Sequence, residues 1–322
     1  MPRETIIFGN GLGMAIDPNW FSLENAIQWV WNEEELLPDN CRQLVRSCLP
    51  ADRNDVPHGE DDLDQLQLAL SATDLLESLQ QGEIHWLSDA GREFPVAVRR
   101  FLYQVAVRFH FCELGLPEEF IQPFVAFLEE TNSHIATLNY DNLLYQPLIE
   151  AGCLRGYNGC LVDGFHGDGF SEENLERRYD RNFGYYLHLH GSPLFIERQQ
   201  AVLKLRQRDL DPEIERVSSH IVLTHVAHKP LVIAGSNLLT AYWNYLRDAI
   251  VESDGVTLFG YSGLDIHLNM ILRRLAQGKR VRVIEWDGAG GQLERLAHWH
   301  DILSLDIELY RFESVLEFEN WG

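Results

Sequence analysis

Four short runs in the chain carry side chains suited to chemistry. They are Gly9-Asn10-Gly11-Leu12-Gly13, Asn139-Tyr140-Asp141, His190-Gly191 and Gly260-Tyr261-Ser262. A glycine loop after a strand lets backbone amides approach a pyrophosphate closely. An asparagine amide offers both a donor and an acceptor, enough to hold hydroxyl groups and a water. A histidine titrates near neutral pH and can take a proton from either. Each run also has a plainer reading. The glycines make a tight turn, and Asn139-Tyr140-Asp141 an Asx turn before a helix. His190 reads as a satisfied core histidine, and Gly260–Ser262 as a simple turn. His188 stands two residues before His190, on the same strand face, and competes with it as the proton acceptor.

The elements around these runs explain why they would meet. Thr5–Phe8, Ile135–Leu138, Tyr185–Leu189, Val256–Phe259, Val281–Ile284 and Ile307–Tyr310 are short apolar runs. Helical patterns follow most of them, over Asn142–Gly152, Thr240–Glu252, Ile266–Gln277 and Gly291–His300. Ile221–Thr224 and Leu231–Ala234 are further apolar runs. Apolar strands that alternate with helices indicate a parallel sheet covered on both faces, an α/β fold. Residues 18–130 instead read as consecutive helices. One starts behind the N-cap Ser22, one runs on from Asp61, one from Pro95 to Cys112 with the proline near N1, and one over Glu118–Glu130. This block reads as a helical insertion into one domain covering residues 1–322. Asp265 is placed to cap the helix from Ile266, and Glu285 follows the strand Val281–Ile284. Ligands of open α/β sheets sit at the carboxyl ends of the strands, so these strand-end polar groups are expected to share one crevice.

Other classes are excluded. The loop is not GxGxxG, and no GxxxxGK is present. The acid that a dehydrogenase places about 20 residues on falls, at Glu33–Glu35, on a helix. With 26 basic and 49 acidic side chains the net charge is 26 − 49 = −23, which argues against binding nucleic acid or an anionic membrane directly. No signal peptide and no membrane-length apolar run is present, so a cytoplasmic protein is expected. The five cysteines are odd in number and form no CxxC, so they read as reduced and mostly buried. No metal is expected. His298-Trp299-His300 reads as a polar helix face rather than a metal pair.

In order and strand-end placement these motifs resemble the sirtuin-like fold. They are most similar to the bacterial sirtuin-like NAD hydrolases of antiphage defence, in "FGNGLGMAID" and "TLNYDNLL". The resemblance covers residues 5–17 and, intermittently, 135–285. It implies a Rossmann-like parallel sheet of sirtuin type and NAD as the substrate. It assigns Asn139 to ribose and water positioning, His190 to the general base, and Asp141 to the loop or a ribose or nicotinamide contact. Gly9, Asn10, Gly11 and Gly13 would lie along the phosphates, with Gly260, Ser262 and Glu285 on the adenosine side. The resemblance further implies NAD depletion during infection, a homo-oligomer, and a separate sensor protein. A helicase-type ATPase ring is the first choice of sensor, and an Argonaute-like protein the second. Trp29, Trp31 and Phe101 would supply oligomer contacts, and Gly164–Gly169 a lid. The departures are the missing four-cysteine zinc module and Ala15-Ile16-Asp17-Pro18 in place of Gly-Ile-Pro-Asp-Phe-Arg. Leu138 stands where a glutamine is usual and Gly13 where a serine is. The first two weigh against the rival of a protein deacylase or ADP-ribosyl transferase. A non-catalytic sensor of NAD or ADP-ribose is the other rival.

Overall fold

Glu4–Phe8 forms β1, a strand whose five residues are all buried. The computed structural model describes residues 2–49, 56–78, 89–167, 169–198, 201–206, 210, 220–223 and 229–322. After β1 come α1 (Gly11–Ile16), α2 (Leu23–Asn32), α3 (Asp39–Arg46), α4 (Gly59–Ser78), α5 (Asp89–His110) and α6 (Glu118–Thr131). Next are β2 (His134–Thr137), α7 (Tyr145–Glu150), β3 (Leu161–Val162), β4 (Phe165–His166), β5 (Gly169–Phe170), β6 (Gly184–His188), β7 (Phe195–Arg198) and β8 (Ala201–Lys204). The chain ends with α8 (Lys229–Ala234), α9 (Asn237–Glu252), β9 (Gly255–Phe259), α10 (Ile266–Leu275), β10 (Arg280–Trp286), α11 (Gln292–Leu303) and β11 (Glu308–Phe312).

Seven strands form one parallel sheet in the order β11-β10-β9-β1-β2-β6-β3. This is a Rossmann-like α/β arrangement, and β1 lies inside it. Ile6, Ile7 and Phe8 are fully buried, as a strand covered on both faces requires. β1 pairs with β2 on one side and with β9 on the other, so the strand order reverses there. Such a reversal opens a crevice at the carboxyl edge. Below the sheet's other rim, Arg282 hydrogen-bonds Thr257, Glu4 and the carbonyls of Asn320 and Trp321. Trp321 packs against Phe124 at 4.4 Å and Phe318 at 4.9 Å, so the chain end lies in the core.

Between β1 and β2 every described element is a helix. Ser22 caps α2, accepting from Asn25 N. Several expectations change. Pro95 does not open its helix: α5 begins at Asp89 and carries the proline inside, with Gly91 four residues earlier, where the ring meets the chain. Lys229–Ala234 is helix α8, a short apolar run that pattern alone does not separate from a strand. Ile221 makes only an isolated bridge to Gly191, and Thr224 lies outside the described residues. Trp31 and Phe101 are buried and pack edge to face at 5.9 Å, so neither is a surface contact. Trp29 alone of the three is exposed, with Arg108 over its ring. Cys153 is buried and the other four cysteines are half-buried. Among the described residues no helix is long and apolar enough to cross a membrane.

Candidate functional site

The carboxyl edge is laced by main-chain hydrogen bonds that continue the sheet into its loops. Gly9 N donates to Phe259 O at 2.9 Å, Gly11 N to Gly260 O at 2.8 Å and Gly260 N to Ile284 O at 2.9 Å. On the other side Leu138 N donates to Phe8 O and Leu189 N to Thr137 O. A cavity of about 890 Å³ opens among these loops. It is lined by Gly9, Asn10, Gly11, Asn139, Asp141, His190, Gly260, Ser262 and Glu285, so nine of the ten residues singled out from the sequence converge. Gly13 is the exception: a Cβ there would stand 2.6 Å from the Phe21 ring, so it packs inward.

Gly9 and Gly11 of the glycine loop are needed for a close backbone crossing. A Cβ on Gly9 would meet Gly260 O at 2.7 Å, and one on Gly11 would meet Gly260 Cα at 2.6 Å. The β1 and β9 loops therefore cross with no room for side chains. The Gly9 and Gly11 amides are committed to that crossing and do not point at a ligand phosphate. Asn10 ties the loop to the next turn, its Nδ2 donating to Phe21 O at 2.9 Å.

After β2, Asn139 N donates to Thr137 Oγ1 and Asn139 Nδ2 donates to Gly9 O at 3.0 Å. Asp141 Oδ1 accepts from Leu143 N at 2.9 Å, the Asx turn that is its plainer reading. The helix behind it begins later than expected, at Tyr145. Asp141 nevertheless borders the cavity, and burial pushes its carboxyl up to about 6, partly opposed by the amide that donates to it. Tyr140 hydrogen-bonds the Val222 carbonyl, and its ring lies 6.2 Å from those of both Phe109 and His190.

The two histidines separate because β6 ends at His188. His188 is shut among Tyr145, Tyr186 and Phe195, with ring centroids 5.0–5.2 Å away. Burial pushes it down to about 3, and it does not line the cavity. His190 lies beyond the strand, where alternation no longer dictates its direction. The turn through Gly191 at φ +79° aims it into the cavity, and a Cβ on Gly191 would collide with His220 O. His190 Nε2 stands 3.1 Å from Asp265 Oδ2.

Asp265 does cap α10, accepting from Leu268 N at 3.0 Å, but it also pairs with His190 and with Lys229 Nζ at 3.1 Å. Burial alone would raise the Asp265 carboxyl. The His190 hydrogen bond and the Lys229 charge beside it outweigh that and hold the group well below the usual carboxylate range. Glu285 is engaged in the same way. It accepts from Arg295 Nη2 at 2.8 Å and Trp299 Nε1 at 3.0 Å and pairs with Arg311. Its oxygens thus hold Arg295 on the cavity wall, which Glu285 itself also lines.

Lys229, Arg295 and the pairing role of Asp265 escaped the sequence reading. One signal was available: the chain has 3 lysines among its 26 basic residues, Lys204, Lys229 and Lys279. Gly164–Gly169 does not line the cavity; it forms part of the β4–β5 hairpin, with Asp168 outside the described residues. Trp299 is fully buried between His298 and His300. Among the described residues no group of three or more His, Cys, Asp or Glu side chains is placed to hold a metal ion. No protein-family model matches the chain, and no curated protein matches it.

Proposed function

We propose that the protein is an NAD glycohydrolase that splits NAD into nicotinamide and ADP-ribose. The observation that carries this reading is the convergence of Asn139, Asp141 and His190 with the Gly9–Gly11 and Gly260–Ser262 loops on one cavity at the sheet reversal. Its volume lies toward the upper end of the roughly 300–1,000 Å³ typical of small-molecule sites, as an extended dinucleotide needs. Apolar walls from Met14, Leu23, Phe109, Val222 and Leu264 suit flat rings.

The bond from C1′ of the ribose to the nicotinamide nitrogen breaks through an oxocarbenium-like state. The nitrogen leaves with the bonding pair and becomes neutral, so no general acid is required. Water adds at C1′ and one proton is released. In this reading Asn139 orients the ribose hydroxyls and the water, and His190 takes the proton. An ionised carboxylate can only accept, so Asp265 fixes Nε2 as the nitrogen that carries the imidazole hydrogen. Asp141 shapes the Asn139 loop. With the Gly9 and Gly11 amides committed, Arg295, which with Arg311 outweighs the single Glu285 charge, is the cavity cation that offsets the negative diphosphate.

By the same resemblance the activity serves antiphage defence in the cytoplasm. The chain works as a homo-oligomer and is switched on by a separate sensor protein, a helicase-type ATPase ring before an Argonaute-like protein. The test is incubation with NAD, alone and with such a partner, following ADP-ribose. Release that is lost in His190→Ala and Asn139→Ala supports the reading. NAD binding without release in either state replaces it with the sensor reading.

A further inference from the structure

His190, Asp265 and Lys229 come from three separate parts of the chain and meet on one oxygen. Asp265 Oδ2 lies 3.1 Å from His190 Nε2 and 3.1 Å from Lys229 Nζ. The three side chains are 9%, 3% and 6% exposed, so water does little to screen them. Asp265 cannot swing to favour one partner, because Oδ1 is held by Leu268 N at the start of α10. Tyr261 braces the same corner. Its hydroxyl accepts from Asp265 N and donates toward Asn269 Oδ1.

We infer that Lys229 is a positioning residue that keeps His190 uncharged, and so competent as a base, by neutralising the carboxylate they share. A histidine paired with a carboxylate alone is drawn toward imidazolium, which has no basic nitrogen left to offer. An ammonium on the same oxygen reverses the balance. With His190 neutral the three groups sum to zero. Protonating His190 would leave a net positive charge on three side chains that are each nine-tenths or more buried, which is unfavourable. Lysine is rare in this chain, and at this position its single compact charge suits one shared oxygen better than a guanidinium fork.

Other titratable groups face the same corner. α10 contributes His267, which feels both Asp265 and Lys229. The loop after β2 contributes Tyr140 and Asp141, and residues 220–223 contribute His220, bonded to Ser236. Glu285 and Arg295, on the wall formed by β10 and α11, are paired with each other. All of these are unchanged when Lys229 alone is replaced.

The catalytic meaning of this coupling rests on the reading of His190 as a base, but the coupling itself does not need NAD. The experiment is a pH titration of the full chain labelled at histidine, following the His190 imidazole by NMR. The His190 signal is assigned as the one missing in His190→Gln. In Lys229→Met the His190 midpoint should rise by about one pH unit or more, and in Asp265→Asn it should fall. Lys229→Arg should stay near the parent. Lys229→Gln keeps a donor without the charge, and serves if the methionine variant does not fold. An unchanged or lowered midpoint on removing the Lys229 charge overturns the inference. If the midpoints move as stated while no variant or parent releases ADP-ribose, the coupling stands and the hydrolase reading is lost.

Discussion

Gly11 and Gly260 meet so closely that a Cβ on Gly11 would stand 2.6 Å from Gly260 Cα, and Gly260 itself sits at φ +59°. The two loops that floor the cavity are therefore one packed unit. An alanine at either position must push backbone against backbone. Gly11→Ala and Gly260→Ala should each lower stability by about 1–3 kcal/mol, and the left-handed backbone at Gly260 places it at the upper end. Gly13→Ala meets the Phe21 side chain, ring and Cβ, rather than backbone, and should cost less. Urea unfolding midpoints decide this; a loss below about 0.5 kcal/mol at Gly11 and Gly260, the noise of an ordinary surface substitution, would refute the packing account.

Asn139 reaches across to the same unit through its hydrogen bond to Gly9 O. Asn139→Ala should lose at least about a hundredfold in NAD hydrolysis, the scale set by removing one oriented polar group from a reacting centre. Asn139→Asp should be the less stable of the two, because an ionised carboxylate facing the Gly9 carbonyl repels it. Turnover and melting temperature measured on both variants separate the two effects.

Asp141 makes stability depend on pH in a defined direction. Its carboxyl is raised from 3.8 to about 6 in the folded state. Between those values the native protein binds the proton more tightly than the unfolded chain. This contribution is present below pH 3.8 and is lost as the pH rises to about 6. Asp141→Asn keeps the Oδ1 acceptor for Leu143 N and removes the charge. It should be more stable than the parent at pH 7, by about 1–3 kcal/mol, with the difference vanishing near pH 4. A difference that is flat from pH 4 to pH 7 would show that Asp141 is not held toward its neutral form.

Glu285 distinguishes a pairing role from a sugar contact. Glu285→Ala leaves Arg295 and Arg311 beside a vanished carboxylate and should lower stability by about 3 kcal/mol. A residue that only touches ligand would leave the unfolding midpoint of the ligand-free protein where it was.

Much of this site was legible from local rules. Asn139, His190 and Ser262 follow apolar runs, and a polar group just past a buried parallel strand must emerge at its carboxyl edge. Asp265 was recognisable as a cap because capping is a contact between near neighbours in sequence. Its bond to His190 spans 75 residues and that to Lys229 spans 36, and no periodicity marks such pairs. The choice between His188 and His190 was open for the same reason. It turns on where β6 stops, which the backbone pairing of Ile135–Thr137 with Tyr186–His188 determines.

The sequence by itself determined the alternation of buried strands and helices and the edge of the sheet at which the polar residues gather. Those features depend on periodicity and backbone conformation, which act over a few residues. Only the tertiary structure decided that the Gly9 and Gly11 amides serve the β9 loop, that Glu285 holds Arg295, and that Lys229 shares Asp265 with His190. Each of these is a pairing of charges or backbone groups brought together from distant segments, so it exists only once the sheet has set those segments side by side.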